Sequence, residues 1–484
     1  MENKVAYYEL DPLLTLFLVQ SQSCVALTGE VVIKVLKGEA KILGYRVPRK
    51  KKIKCNSSKG LPSLVITSFH TPANQKLISS KYIEGLFKKL NVEAEVTFPI
   101  ALIFLVHHCS PLTKELTYTG PVLFYFKIWQ THIDEIMTEV KDKKQTIMVT
   151  GAKNTGKSSF LIHLINTALN NSKDIYCIDT DLGKPLFTLE GTVSLSKIKA
   201  PILSNKPKSQ STLRSFLIND TSPKDKPLLY LKAISALYSS YIQLANHRSL
   251  LVVNTHGWTD GLGFLLLEQI TEVIKPTIIV SLETSITTDR HEYETSLYTK
   301  SFIDTNPNIK VIHIDQKDMK LQSQTTEKYK IKNIEQFSLK TCSEQFVSFE
   351  DIEFLIPIKD ILNKYEILSI FNAQYVGLVK VNKEAKEIRI EDIVVKVWDE
   401  EGLLDIEGVG FIANINYNEG IYISIKMFIK SGEKNMKYTV IPLRESIHPK
   451  WLIEDPVSYI GMPYNYDTYS TLNFVANRPK LNIK

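Results

Sequence analysis

The sequence predicts an α/β protein in which a central parallel sheet is flanked by a β-rich N-terminal domain and a mostly β C-terminal domain. Three observations carry that expectation. Thr150 to Phe160 fits the pattern G-x-x-x-x-G-K-[ST], with Gly151, Gly156, Lys157 and Ser158 at the defining positions. Strand-like apolar runs alternate with helix-length amphipathic stretches around it, the rhythm of a parallel sheet covered by helices. Before and after that stretch the rhythm gives way to short apolar runs separated by turn residues.

The P-loop match is supported by its surroundings. Gln145 to Thr150 reads as a buried strand, and Phe160 to Ala168, with Leu161, Leu164, Ile165 and Ala168 on one face, reads as a helix. Strand, loop and helix define a P-loop NTPase domain; without them the motif would be a glycine-rich turn before an ordinary helix. The glycines of Gly151, Ala152, Lys153, Asn154, Thr155, Gly156, Lys157, Ser158 and Ser159 let the backbone wrap phosphate oxygens at the positive end of that helix. Lys157 adds a cation, and Ser158 offers a hydroxyl to Mg²⁺, so a nucleoside triphosphate is the expected ligand.

The chain has 484 residues, 44 % hydrophobic and 23 % charged, enough for several domains with buried cores. Its five cysteines, Cys24, Cys55, Cys109, Cys177 and Cys342, form no C-x-x-C pair, so neither a zinc site nor a disulfide framework is expected. No signal-like N-terminus and no membrane-length apolar run is present, and the expectation is a soluble intracellular protein in a reducing compartment. The net charge of +7 permits a polyanionic partner, and a lysine-rich proteome explains it equally well.

In order, residues 1–126 are expected to form the β-rich domain, with strands at Thr15–Val19, Val31–Leu36, Ala40–Leu43, Leu64–Thr67, Val92–Phe98 and Ile100–Val106. Tyr45 to Lys54 holds Arg46, Arg49, Lys50, Lys51, Lys52 and Lys54 with no acid. A phosphate contact, a nuclear localisation signal and a solvated loop all fit it. Residues 127–339 form the P-loop domain: a leading helix at Phe126–Val140, further strands at Asp174–Ile178, Ser249–Val253, Lys275–Leu282 and Ile309–Ile314, and helices at Leu228–Leu244 and Gly263–Ile274. Gln316 to Glu335 reads as a polar excursion, either a lid over the ligand or a surface loop. Residues 340–463 are mostly β, with runs at Val376–Val381, Ile388–Val397, Val409–Ile415, Ile421–Ile429 and Tyr438–Leu443, and 464–484 is a polar tail.

Two further constellations sit at strand ends. Asp179 and Asp181 end the strand after the P-loop helix, where a parallel sheet binds its ligands, and phosphoryl transfer needs one carboxylate for the metal and one for the acceptor proton. A polar strand-end turn is the plain alternative. Asn254 to Gly263 brings Thr255, His256, Gly257 and Trp258 to the same edge, with an indole able to stack on a base or to fill a core.

These residues resemble the polynucleotide 5′-hydroxyl kinase family, in the nucleolar branch that processes ribosomal RNA with a partner endonuclease. Four segments carry the resemblance in order: 151–160, 179–188, 220–225 and 254–263; weaker similarity lies at 35–38, 371–378 and 408–412. It implies transfer of the ATP γ-phosphate to the 5′-hydroxyl of RNA, with Mg²⁺, in the nucleus and nucleolus, in a hetero-oligomer with a pre-rRNA spacer endonuclease and away from membranes. Lys157 would steady the phosphates, Ser158 and Asp179 would hold or support the metal, and Asp181 would be general base or metal-site carboxylate. Thr255 and Trp258 would face the RNA, with Lys328 and Lys332 near the expected lid. The chain departs from the family at Lys184, where glutamine is usual, at His256, where proline is usual, and in Gln316–Leu339, which holds no arginine. Lysine lacks arginine's planar fork. A nucleotide-binding scaffold that activates the nuclease, and the mRNA 3′-end branch of the family, are the alternatives. A GTPase is disfavoured because no Asn-Lys-x-Asp segment occurs where one is expected.

Overall fold

The computed structural model describes residues 5–21, 23–27, 29–49, 51–57, 64–68, 77–93, 96, 98–109, 116–117, 121–140, 144–171, 174–203, 210–283, 309–315, 344–356, 363–372, 374–381, 385–398, 402–427 and 438–443. They fall into two compact units: residues 1–177, 197–210 and 242–332, and residues 178–196, 211–241 and 333–484.

The first unit begins with a sandwich of two five-stranded sheets. One has the order β1 (Val5–Asp11), β2 (Leu14–Gln20), β9 (Ile100–His108), β4 (Gly29–Lys37), β7 (Lys52–Ser57). The other runs β10 (Leu116–Thr117), β3 (Cys24–Leu27), β8 (Leu64–Ser68), β5 (Ala40–Ile42), β6 (Tyr45–Arg46). Strand alternation explains the packing. Phe17, Val31, Ile33, Val35 and Phe104 point into the core between the sheets, facing Val25, Ile42 and Ile66. Their neighbours Leu16, Leu18 and Ile103 point the other way and are covered by helix α1 (Ser80–Leu90) through Phe87.

Here two expectations are corrected. α1 lies in a stretch assigned no element, and the described residues of Val92–Phe98 are not strand. Val92, Val96 and Phe98 instead pack loosely into the cluster under α1, so their alternation reflects burial without a ladder.

The P-loop core follows. Helix α2 (Pro121–Glu139) precedes β11 (Gln145–Gly151) and α3 (Lys157–Leu169), and Trp129 meets Phe160 edge-on with centroids 5.8 Å apart. Strands β15 (Ser249–Asn254), β16 (Ile278–Glu283) and β17 (Lys310–Asp315) join β11 in the parallel order β17-β16-β11-β15. β11 and β15 are buried along almost their whole length, as a sheet covered by helices requires. Helix α5 (Gly261–Ile274) packs on β11, with Thr271 Oγ1 3.7 Å from Met148 Sδ. The expected α/β class and parallel sheet hold.

β12 (Asp174–Asp179) runs from the first unit's residues into the second's. The second unit includes β13 (Thr192–Ile198), β14 (Gln210–Leu217) and α4 (Pro227–Leu244). It continues with β18 (Glu344–Ser348), β19 (Ile352–Ile356), helix α6 (Lys364–Phe371), β20 (Gln374–Lys380), β21 (Lys386–Ile390), β22 (Ile393–Val397), β23 (Leu404–Asn416), β24 (Gly420–Met427) and β25 (Tyr438–Pro442). β14 pairs antiparallel with β23, and the sheet runs on as β20-β25-β19-β22-β21, with β24 and then β18 on the other side of β23. α6 closes the core with Ile367, Leu368 and Phe371 and is held at its start by a reciprocal cap, Glu366 N–H to Asn363 Oδ1 and Asn363 N–H to Glu366 Oε2, both 2.9 Å. The run expected as one strand, Ile388–Val397, is a hairpin: Ile390 pairs with Ile393 around Glu391, whose φ is +54°. Glu-Asp carries no glycine to announce such a turn.

Candidate active site

The phosphate loop is shaped by close approach. Gly151 ends β11 with φ +141°, and a Cβ there would lie 2.4 Å from the Leu282 carbonyl oxygen of β16. Only glycine fits. Asn154 (φ +66°) and Gly156 (φ +85°) turn the chain into α3, whose first N–H groups face the loop. Lys157 is buried, and its ammonium donates to the Gly151 and Ala152 carbonyls at 2.8 Å each. Thr155 Oγ1 donates to Ala152 O at 2.9 Å, bracing the same turn. Ser158 and Ser159 are half-buried behind it. A glycine-shaped hollow at a helix N-terminus with a fixed cation fits a polyphosphate, and the Ser158 hydroxyl fits a hard divalent cation.

The Asn254–Gly263 loop meets that phosphate loop directly. A Cβ on Gly257 would sit 2.8 Å from Lys153 Cγ and 3.0 Å from its Cα and N. Thr255 is fully buried, and its hydroxyl donates to Val149 O at 2.8 Å, tying the end of β15 to β11. His256 Nδ1 accepts the Trp258 N–H at 3.3 Å. Burial, with the charge of Lys157 behind it, pushes the His256 pKa down to about 3, so the ring is neutral. Trp258 is half-buried and leans on the first turn of α5: a Cβ on Gly263 would lie 2.4 Å from the indole Cγ. One side of that ring is therefore taken up by Gly263.

The carboxylate turn lies in the second unit. Asp179 is fully buried; Oδ1 accepts the Asp181 N–H at 3.3 Å and Oδ2 accepts the Leu186 N–H. Asp181 is half-buried, and its Oδ1 accepts the Gly183 and Lys184 N–H groups at 3.1 and 3.2 Å. Among the described residues no hydrogen bond engages its Oδ2. Tyr230, whose phenol pKa is raised by burial, donates to Thr180 O at 2.8 Å between the two aspartates. The 220–225 segment packs beneath: a Cβ on Gly183 would meet Thr221 O at 3.2 Å, and Asp220 Oδ1 accepts the Ser222 N–H at 3.1 Å.

The phosphate loop, Thr255 and Trp258 thus share one unit, while Asp179 and Asp181 belong to the other. Lys328, Lys332 and the whole of Gln316–Leu339 lie outside the described residues, as does the 464–484 tail. Sequence reasoning missed the contact between Lys153 and Gly257, and it missed Tyr230. The glycine before Trp258 was a visible signal for the first; a tyrosine inside an amphipathic helix gave none for the second. Among the described residues no group of three or more His, Cys, Asp or Glu side chains forms a metal cluster, and no helix is long and apolar enough to cross a membrane.

The fold and loop define a P-loop domain of the NTPase class. Residues 151–333 match the P-loop family description of the mRNA cleavage and polyadenylation factor CLP1, and residues 5–98 match the N-terminal domain of the polynucleotide 5′-hydroxyl-kinase NOL9. Similar curated proteins include polynucleotide 5′-hydroxyl-kinase NOL9 of Arabidopsis thaliana, 34 % identical over 28 % of this chain and 40 % of the relative. Its counterpart in Bos taurus is 32 % identical over 35 % of this chain and 23 % of its own length, and GRC3 of Saccharomyces cerevisiae is 31 % identical over 32 % and 27 %. The matched stretch is therefore less than half of each relative. The solved structure of Clp1p from a Clp1p–Pcf11p complex shares the fold, with a TM-score of 0.58 at 14 % identity over 91 % of this chain and 97 % of that one. The resemblance to the nucleolar polynucleotide 5′-hydroxyl kinases, carried in sequence by four motifs, is borne out.

Proposed function

We propose that the protein is an RNA 5′-hydroxyl kinase that uses ATP and Mg²⁺. The observation that carries this reading is the Lys157 ammonium fixed inside a glycine-shaped phosphate hollow whose tip, Lys153, rests on the loop bearing Trp258. The names of its curated relatives support the acceptor. In the reaction the RNA 5′-oxygen bonds to the γ-phosphorus, the bond to the β–γ bridging oxygen breaks, ADP leaves, and the hydroxyl proton passes to a carboxylate. Asp181 is assigned as that base because its Oδ2 is not engaged, whereas both oxygens of Asp179 accept backbone N–H groups. Asp179 then holds the turn in shape and would support the metal, with the Ser158 hydroxyl as the group that would hold it. Bound Mg²⁺ would neutralise phosphate charge. Trp258 offers its outer face to the first base, and the buried Thr255 acts by positioning the loop. Lys328 and Lys332 are proposed for the lid.

By the same resemblance the acceptor is the 5′-hydroxyl end left by a pre-rRNA spacer endonuclease, which is the proposed hetero-oligomeric partner, and the place of action is the nucleolus. The two separate family matches support dividing the chain near residues 126 and 339. The test is transfer from labelled ATP to a 5′-hydroxyl oligoribonucleotide by the full chain, with the partner nuclease added in parallel. Wild type should transfer and Lys157→Ala should lose on the order of a hundredfold or more, because fixed charge is the main catalytic contribution. Equal transfer by both would sink the proposal. A second reading rests on the arginine-free Gln316–Leu339: a nucleotide-binding scaffold that activates the nuclease. It predicts that ATP raises Tm while transfer stays at background.

A further inference from the structure

The basic segment before and within β7 is left unused by the phosphate chemistry, and the sandwich shows what surrounds it. β7 is the edge strand of the first sheet, paired antiparallel with β4 so that Lys34 stands directly opposite Lys52. Like charges at directly opposed positions repel. On β4, Val31, Ile33 and Val35 enter the sandwich core, so Lys34 and Lys52 stand on the outer face. Acids are scarce beside them. Glu30 is paired with Lys54, and Glu39 lies 3.7 Å from Arg49, which also donates to Gly38 O. Among the described residues Lys34, Lys51 and Lys52 have no acidic partner; Lys51 and Lys52 are exposed. On the same face Lys37 holds its ammonium 5.1 Å from the centre of the half-exposed Tyr82 ring of α1, which adds a cation beside a stacking surface.

We propose that this face, centred on Lys34, Lys51 and Lys52 and extended by Lys37 and Tyr82, binds the phosphate backbone of single-stranded RNA, the body of the molecule whose 5′ end is phosphorylated. The inference rests on the RNA-kinase reading for its ligand. Its position explains why it takes the body and not the reacting end. The sandwich holds α3 at the far end from the phosphate loop: Asn170 accepts the Arg46 N–H and donates to Gly44 O, both at 2.9 Å. That contact is about 20 Å along the helix from Lys157. It is made from the second sheet, while the lysines stand on the first. A nuclear localisation signal fits less well, because residues 52–57 are committed to the ladder with β4 and are not an extended peptide free to be gripped.

The experiment measures binding of the full-length protein to a 5′-hydroxyl oligoribonucleotide of about 20 nucleotides across a salt series, and kinase turnover on one of about 4 nucleotides. Lys51→Ala/Lys52→Ala should weaken binding of the long RNA several-fold at low salt. It should also lower the slope of log Kd against log salt by about 1.4, two lost phosphate contacts at roughly 0.7 each. Turnover on the short acceptor should not change. Lys34→Glu serves as the folding control, since it places an acid opposite Lys52: Tm should hold or rise while the RNA affinity falls. An unchanged slope overturns the proposal, as does equal loss on the short and long RNAs. Loss of nuclear import with RNA binding intact overturns it too, in favour of a transport signal. If the short acceptor is not phosphorylated by wild type, the kinase reading fails by itself, and the salt series still decides whether this face holds RNA.

Discussion

The phosphate loop and the carboxylate turn are both turns at the end of a buried strand, yet they are held in shape by opposite means. The phosphate loop is fixed by sterics: Gly151 passes under the Leu282 carbonyl, Gly257 lies against Lys153, and the cation is seated by carbonyls. The carboxylate turn is fixed by charge-assisted hydrogen bonds, with Asp179 and Asp181 between them accepting four backbone N–H groups. The first therefore fails when atoms are added, and the second when a charge is removed.

The sharpest way to break the contrast is at its two extremes. Gly151→Val forces a side chain against a backbone oxygen at a φ that only glycine favours, and is expected to abolish nucleotide-dependent Tm shifts altogether. Asp181→Asn keeps the size and removes the proposed base; turnover should fall by about 10²- to 10⁴-fold while the ATP-induced Tm shift stays as in wild type. If nucleotide binding is lost as well, Asp181 is not simply the base. For Asp179→Asn the amide turns an NH₂ towards a backbone N–H that a carboxylate oxygen satisfies. Stability should drop by about 1–3 kcal/mol in denaturant titration, alongside the loss of turnover.

Gly257→Ala probes the contact between the two loops at milder cost, since its nearest atom is the movable Lys153 Cγ but backbone lies close behind. A rise of several-fold in the KM for ATP is expected, and Lys153→Gly in the same background should restore part of it. The last test is in pH. Burial holds His163 and His256 at about 3, so each stays neutral in the folded protein while an unfolded histidine takes up a proton near its ordinary value of about 6.5. Their contribution is flat above about pH 6.5 and lost as the pH falls from there towards 3. Tm measured across that window should fall less steeply in His163→Gln than in wild type.

Much of this molecule is legible in its sequence because its central part is built from local signals. A continuous apolar run, a glycine pattern and an amphipathic helix place β11, the phosphate loop and α3 to within a few residues. Among the sandwich strands β2, β4, β5, β8 and β9 were readable as apolar runs and β1, β3, β6, β7 and β10 were not, while α1 was passed over although Ile83, Leu86, Phe87 and Leu90 recur at the i, i+3, i+4, i+7 spacing of a helix. β13 and β14 were invisible for a different reason. They pair with each other as neighbours in sequence, but Ser194, Ser196 and Ser215 are fully buried polar residues where a core strand is expected to be apolar, and the Ser215 hydroxyl donates to Val193 O at 3.1 Å. The site followed the same rule. Its loops could be named from motifs, whereas the seating of Lys153 on Gly257 depends on the register of β11 against β15.

Gly44 has a consequence for how the protein is made. Its φ is +86°, and a Cβ there would fall 2.3 Å from Thr167 Oγ1 and 2.5 Å from His163 Cδ2, so the hairpin of β5 and β6 is moulded to the last turns of α3. The sandwich strands precede α3 in the chain, so the residues that seat this helix are synthesised before the helix itself. Synthesis of the P-loop core without its leading domain would uncover the sides of His163 and Thr167 that face Gly44, both residues being buried in the described structure.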